Sequence, residues 1–581
     1  MSNPRKPLRS SLLIAALMFA SRVLGFLRDM NTAAVLGMSA SPIADAYFLA
    51  FRLPNLGRRL IEEGALGLSW IPAFSGRLAE NRHEARRLFA AFLTRGAWWG
   101  MLVTVLGMSM AAGALFWIQT PETALETFAV STLKLFLLMA PYFFFVLLTA
   151  QCAATLQASE RFALASAIPL VFNIFWLVAL FVISPLGVWL PFHVTFRPIF
   201  GFDPNRLSAF DRAAVLSCVI TASGCAQFLI QRVYLFWILP KKNQDTRRAR
   251  FDTPEKKSGR KGENQADFAQ VDGVFRRMIP TALSLLFVQI NTLGAALWAA
   301  LWTGNAFFFL KISEENVFAE GTVTAIYYAE RLYEFPLGLI GVAVSTAFYP
   351  VLVRLAREGD FAALAARLSE ALEAIFLFSI PAAVGLFTLA DPLATLLFER
   401  GDFTAEDAHR TAGLIRVFAL GVPIFCLLPI LIRTFFALGD YRLPFRAGLI
   451  STAVFLPAMV LFGFYTGPTA LIAAVVLGAC VQLAILAGAL KKRLKISGNT
   501  VFGRWGKIWR VFAASAALFF AICAVWSLLA RFFPDFYAQG SKTGQALVQT
   551  VSAIFAAVLV YFGTLRLLGE REIFRIFRKN D

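Results

Sequence analysis

The sequence predicts an all-α, polytopic membrane protein of about 14 transmembrane helices. Three observations predict it. First, 58% of the 581 residues are hydrophobic and only 16% charged, with a mean hydropathy of +0.66, whereas a soluble domain is nearer half apolar and a quarter charged. Second, apolar runs able to cross hydrocarbon roughly 30 Å thick, about 20 residues each, recur along the whole chain. Third, Lys and Arg gather in alternate loops, as the positive-inside rule requires.

The first span, 9–36, could be taken for a signal peptide, because Arg5, Lys6 and Arg9 precede the apolar run Leu12–Ala20. That run continues through Arg22, Arg28 and Asp29 with no small-residue cleavage site, so it reads as a retained span. Spans at 43–72, 88–118, 126–157, 162–185 and 211–238 complete an N-terminal lobe over residues 1–238. The outer stretch Leu186–Ala209 is aromatic and Pro-rich and is expected to cap that lobe. Residues 239–276 follow as a basic cytoplasmic linker, whose Pro240–Asp272 stretch holds Lys241-Lys242, Arg247-Arg248, Lys256-Lys257 and Arg260-Lys261. Such a stretch is expected to be a mobile connection between two lobes, either lying on anionic headgroups or simply solvated. A C-terminal lobe, 277–490, carries spans at 277–302, 323–350, 367–390, 408–437, 443–466 and 468–490. Spans 508–530 and 545–567 form a last pair within 491–581, ahead of a basic tail. Pro54, Pro141, Pro169, Pro336, Pro381 and Pro423 lie inside spans and predict bent helices.

The loops test this count. Arg82–Arg87, Lys241–Arg277, Lys491–Lys507 and Arg566–Lys579 are basic, whereas Gly37–Ala44, Gln119–Leu125, Glu314–Glu320 and Asp391–Asp407 are poor in Lys and Arg. The inner loops hold roughly five times as many basic residues as the outer ones, which places both termini in the cytoplasm.

Composition also excludes function classes. A net charge of +19 could suit nucleic acid, but the charge lies between spans and no zinc-finger, helix-turn-helix or RNA-binding motif accompanies it. The six cysteines, Cys152, Cys218, Cys225, Cys426, Cys480 and Cys523, all fall in apolar runs without a C-x-x-C, and His83, His193 and His409 lie in or beside loops. Neither a disulfide framework nor a metal centre is expected, and no cofactor. The sequence contains no G-x-x-x-x-G-K-[ST] loop, G-x-S-x-G elbow or H-E-x-x-H. It reads as a transporter rather than an enzyme.

Charges inside spans are costly and mark function by default. Three stretches carry them. In Ser21–Asp29, Arg22 and Asp29 fall about 20° apart on a helix, with Arg28 about 120° from Arg22 and Gly25 in the same arc. In the second, Asp45, Arg52, Asn55, Arg59, Glu62 and Glu63 share about 100° of helix face, with Arg58 adjacent and Pro54 among them. In the third, Thr324, Tyr327, Glu330, Arg331 and Glu334 share about 120°. Two readings compete: structural ion pairs or snorkelling helix ends, or a polar cavity whose guanidiniums grip phosphate or carboxylate in a bidentate fork. Arg59 and Glu63, four apart, suit the first; Arg22, Arg28 and Arg331, deep in apolar context, suit the second.

These stretches resemble the MurJ/MviN lipid II flippase family of the multidrug/oligosaccharidyl-lipid/polysaccharide exporter superfamily. The resemblance rests on SRVLGFLRD at 21–29, ADAYFLAFRLPNLGRRLIEEGA at 44–65 and YYAERLYEFPLGLIGVAVSTAFYP at 327–350. It continues in LFERGDFTAEDA at 397–408 and TFFALGDYRLPFRAG at 434–448, and so covers nearly the whole chain. It implies two lobes around a central cavity and a C-terminal helix pair forming a lipid-accessible groove. The implied substrate is lipid II, an undecaprenyl-pyrophosphate glycopeptide, moved from the cytoplasmic to the outer leaflet of the bacterial inner membrane. Membrane lipids and the cell-wall synthesis machinery are the implied partners. By the same resemblance Arg22, Arg28, Arg58 and Arg331 match cavity arginines, and Asp29, Asp45, Asn55, Glu63, Thr324 and Glu334 match polar cavity and gate positions. Arg52, Arg59 and Glu330 join the gate or coupling group from the helical stripes. Alternatives are export of another lipid-linked oligosaccharide or of drugs, and a polyprenyl-dependent glycosyltransferase. A drug exporter is expected to have a more aromatic, acidic cavity with fewer arginines than these stripes carry. A transferase needs outer-facing catalytic acids and a sizeable outer domain, whereas the outer loops are short. One departure concerns coupling. Some family members build a sodium site from acids and amides in the seventh, eleventh and twelfth spans. Here the seventh offers Gln289 and Asn291 without an acid, and Leu449–Phe464 is apolar apart from Ser451 and Thr452. That favours the membrane potential or protons over sodium.

Overall fold

The computed structural model describes residues 5–39, 41–60, 66–118, 120–184, 207–239, 255–303, 318–494, 505–534 and 541–569. Regular structure among them is helical; an isolated bridge joins Arg400 and Phe403 across a turn. In order, the helices are α1 (Arg5–Leu36), α2 (Ile43–Leu60), α3 (Leu66–Glu80), α4 (Arg82–Trp117), α5 (Ala124–Ala158), α6 (Phe162–Ile183), α7 (Ala209–Ile238) and α8 (Glu255–Thr303). The second half holds α9 (Thr322–Pro336), a π-helical turn (Leu337–Val342), α10 (Ala343–Glu358), α11 (Phe361–Thr388), α12 (Ala390–Phe398), α13 (Ala405–Ala437), α14 (Arg442–Thr466), α15 (Pro468–Arg493), α16 (Trp505–Phe532) and α17 (Lys542–Leu567).

Local chemistry sets several starts. Thr123 with Glu126, Ser208 with Asp211 and Thr404 with Asp407 form reciprocal capping boxes at α5, α7 and α13. Asn81 caps α4 and Asp360 caps α11. Gly359, at φ +73°, ends α10 in the left-handed conformation that suits glycine.

Eleven helices among the described residues are long and apolar enough to cross a membrane. They coincide with eleven of the expected spans; the other three expected spans fall on α1, on α2 with α3, and on α8. The span expected over 43–72 is not one continuous described helix, because 61–65 lie outside the described residues.

The chain divides into two compact units, Met1–Leu286 and Phe287–Asp581. In the first, α2, α3, α4 and α7 pack against α5, while α1 packs on α6. Its core is anchored by Trp70, fully buried, whose ring stacks on Phe92 at 3.7 Å and whose indole N–H donates to Thr155 Oγ1 at 2.9 Å. Gln151 fills the space a side chain at Gly96 would need, and donates to the Phe92 carbonyl.

Part of the stretch expected to be linker is helical. α8 begins at Glu255, and its residues up to Leu286 belong to the first unit. Val271 and Val274 are fully buried in that unit's core, with Phe268, Phe275 and Met278 packed beside them. Asp267 faces Arg87 at 3.6 Å and Asp272 binds Arg95 at 2.7 Å. Apolar residues at helical spacing explain the docking; the run of lysines and arginines just before them masks that pattern in the sequence. Residues 240–254 of the expected linker, and the expected cap over 186–206, lie outside the described residues.

In the second unit α13 is central, packed by α9, α11, α12 and α15, with α14 on α15. α16 and α17 pair with each other and lean on α11 and α12. Ala514, Ile522, Ala553 and Leu565 fill their seam. Trp509, Phe520 and Phe555 stand exposed on them, an apolar surface suited to lipid. The expected outer segment 391–407 contains all of α12 but its first residue, and the start of α13.

Candidate functional site

Arg28 sits in a cage built by α1 and α6. Its Nε and Nη2 both donate to Asp29 Oδ1, at 2.9 and 2.7 Å, and its Nη1 donates to Asn173 Oδ1 at 3.0 Å. Asn173 Nδ2 in turn donates to the Ser21 carbonyl at 2.9 Å, clamping α6 to α1. The guanidinium carbon lies 4.8 Å from the Trp176 ring centre and 5.4 Å from that of Phe172. Arg28, Asp29 and Asn173 are 8, 4 and 5% exposed. A charge taken this far from water requires both a counter-charge and full hydrogen bonding. Asp29 supplies the counter-charge and each of the three guanidinium nitrogens donates one hydrogen bond, together with two ring faces worth about 0.5–2 kcal/mol each.

Trp176 ties the second stretch to the first. Tyr47 and Phe51 of α2 meet its ring edge-on, at 6.2 and 5.5 Å. On the same helix Asp45 and Asn55 are buried and Arg52 half-buried, while Arg22 is half-buried on α1. Arg58 and Arg59 lie in α2, but their side chains are outside the described set; Glu62 and Glu63 lie outside the described residues altogether.

In the second unit, Arg331 Nη1 donates to Glu334 Oε2 at 2.8 Å, and its guanidinium covers the Tyr327 ring at 4.5 Å. Both ionic partners keep partial access, at 16 and 21%. Thr324 is fully buried and Glu330 is 6% exposed on the same helix. Tyr333 stacks on Phe418 of α13 at 4.6 Å. After Pro336 the helix widens into the π turn Leu337–Val342, a feature that often accompanies functional sites. There Gly341 lets the backbone of Cys426 approach so closely that an added Cβ would lie 2.8 Å from its Cα.

A neutral polar cluster joins α8, α14 and α15. Thr452 Oγ1 donates to Asn291 Oδ1 at 2.8 Å, Asn291 Nδ2 to Ser451 Oγ at 3.4 Å, and Ser451 Oγ to the Gly478 carbonyl at 2.7 Å. Thus Asn291 of the seventh expected span and Ser451 and Thr452 of the eleventh bond to one another.

The structure brings Arg28 to Asp29 and Arg331 to Glu334, so these two arginines sit in ion pairs in this conformation. Sequence reasoning missed Asn173, Trp176 and Phe172. A lone Asn in the otherwise apolar run 162–185 was the available signal.

A family model described as "Lipid II flippase MurJ" matches residues 32–569. The chain belongs to the lipid II flippase MurJ family. It is 27% identical to the probable lipid II flippase MurJ of Bdellovibrio bacteriovorus, over 99% of this chain and 98% of that one. It is 26% identical to the lipid II flippase MurJ of Burkholderia cenocepacia, over 84% of each. Among solved structures it is similar to a lipid II flippase MurJ in an inward closed conformation, with TM-score 0.68 and 19% identity over 96% of this chain and 99% of that one. An inward-facing MATE multidrug transporter matches with TM-score 0.58 and 13% identity, over 83% of this chain and 98% of that one. These two likenesses show the fold of this chain alone.

Proposed function

We propose that this MurJ family member is a lipid II flippase, working by alternating access in the bacterial inner membrane with both termini cytoplasmic. The family match along residues 32–569 carries the reading, and the arginines held inside the spans give it a chemistry. The residues that take the pyrophosphate of the undecaprenyl-linked glycopeptide are Arg22, Arg28, Arg58 and Arg331, with Asn55 and Thr324 as polar contacts. Asp29 and Glu334, which hold Arg28 and Arg331 at 2.7 and 2.8 Å, compete with the phosphates for the same guanidiniums. Exchange of partners then allows capture on one side and release on the other. Asp45, Arg52, Arg59, Glu63 and Glu330 serve as gate or coupling residues. The prenyl tail stays in lipid along α16 and α17, and cell-wall synthesis enzymes act next on the exported headgroup.

The test is rescue of cells depleted of their lipid II flippase, paired with arrival of lipid II at the outer leaflet. Rescue with restored outer-leaflet lipid II is expected. Correct membrane insertion without rescue, together with transport of a different polyprenyl-linked sugar, would overturn the substrate assignment.

A further inference from the structure

A second cationic feature involves none of the arginines described above. Side chains of α4 and α7 approach one another at the ends that the Lys and Arg distribution assigns to the cytoplasmic side, and between them is a cavity of about 160 Å³. Phe89, Leu235 and Leu239, all buried, form its floor. Two guanidiniums frame it in a reciprocal arrangement. Arg86 of α4 lies 5.9 Å from the ring centre of Phe236 on α7, and Arg232 of α7 lies 6.0 Å from that of Phe89 on α4. Among the described residues lining the cavity there is no acid.

The surroundings specify the occupant. Beyond the cavity, α7 exposes Val233, Tyr234 and Trp237, the last at 80%. Aromatic side chains of this kind sit at headgroup level, with apolar residues reaching into the acyl region. A ligand here therefore needs a compact anionic head and an apolar body. The cavity is well above the roughly 10–15 Å³ that a single water needs on this measure, which leaves room for a phosphodiester head.

We propose that this cavity binds the headgroup of an anionic phospholipid of the inner leaflet. Arg86 and Arg232 take the phosphate oxygens, and the acyl chains lie along Val233 and Trp237. The site shares no residue with those assigned to the lipid-linked substrate and does not depend on which substrate is moved.

The test uses the full chain in nanodiscs of mixed phosphatidylglycerol and phosphatidylcholine, with retained lipid read by native mass spectrometry. The intact protein is expected to keep phosphatidylglycerol in preference to phosphatidylcholine. R86Q/R232Q should hold it about thirtyfold less tightly, since each basic group near a headgroup contributes about a factor of five. K491Q/K492Q, at the end of α15, should retain it as the unaltered chain does. Equal retention by R86Q/R232Q, or an equal loss in K491Q/K492Q, would overturn the site. So would displacement of the lipid by millimolar inorganic phosphate, which would reassign the cavity to free phosphate. Melting in pure phosphatidylcholine discs controls for folding. If R86Q/R232Q melts early there, R86K/R232K, which keeps both charges, must retain phosphatidylglycerol, and its failure to do so would equally overturn the proposal.

Discussion

Arg28 and Asn173 are joined by a 3.0 Å hydrogen bond across 145 residues of sequence. One polar side chain of α6 thus fixes both a charge and the backbone of α1, through Ser21. Replacing Arg28 with Ala takes the cation at 2.7 Å away from the buried Asp29 carboxylate, a cost of up to about 3–5 kcal/mol. The variant R28Q/D29N removes both charges and should recover most of that stability while remaining inactive in flipping. Thermal melting beside an outer-leaflet lipid II assay separates the two effects. Full transport by R28Q/D29N would confine this pair to a structural role.

Arg331 differs in keeping partial access and a ring face. Arg331→Lys preserves the charge opposite Glu334 but loses the planar fork and the stacking on Tyr327. Transport should be restored only partly, at a level well below that of the unaltered chain. Tyr327→Leu should weaken the arrangement by about 0.5–2 kcal/mol. Complementation titrated by expression level checks the ranking Arg, then Lys, then Ala. Equal activity with Lys would mean that a point charge suffices.

The docked part of α8 makes topology and stability testable together. A cysteine at Ser258 should react with reagent from the cytoplasmic side, and one at Asp402 from outside, in a chain whose six native cysteines are replaced. Val271→Asp should release the segment from the Trp70 and Phe92 core and raise its hydrogen exchange. The hydrogen bond and charge of Arg95 hold the Asp272 carboxyl below the usual carboxylate range. Its contribution is thus complete above the unfolded pKa of about 4 and fades only as pH falls through the lower folded value. Exchange over 265–276 should therefore be flat from about pH 5 to 8 once intrinsic rates are removed. A rise in protection with pH across that window would contradict the sign.

The polar cluster at Asn291 bears on coupling. A sodium ion wants several oxygen ligands, and a carboxylate to balance its charge. Here the Asn291 and Ser451 groups bond to one another, to Thr452 and to the Gly478 carbonyl. A cationic arginine moving in the transmembrane field carries about 2.3 kcal/mol per 100 mV. Flipping should persist when potassium replaces sodium at fixed potential, and stop when the potential is collapsed. Asn291→Ala should cost about 1–3 kcal/mol for each partner left buried and unpaired. Loss of activity on sodium removal alone would sink this prediction.

Much of this architecture is written locally. Hydropathy marks the helices, because burial in lipid demands apolar length. The Arg331–Glu334 pair is visible because residues three apart share a helix face. Arg28 is different. Its neighbour Asp29 was singled out as part of the same stripe, but Asn173 and Trp176 come from a helix far along the chain, and no periodicity within α1 points to them. α8 failed for another reason: Val271 and Val274 follow a cluster of lysines and arginines, and net charge outweighed a short amphipathic repeat. The link from Asn291 to Ser451 and Thr452 was half legible, since each polar group stood out in its own run while their pairing needs three helices in contact.

The π turn between Pro336 and Ala343 has a consequence for chain length. A π turn holds an extra residue that an α-helix of the same rise would not need. The face that presents Tyr327 and Arg331 and the face that seats Leu352 and Leu355 are therefore set independently of one residue's worth of slack. Anywhere else in the 37-residue helix Thr322–Glu358, a single deletion turns everything downstream by about 100°. Between Leu337 and Val342 it converts π to α geometry and leaves both faces where they were, so this is where the helix can lose a residue with least damage.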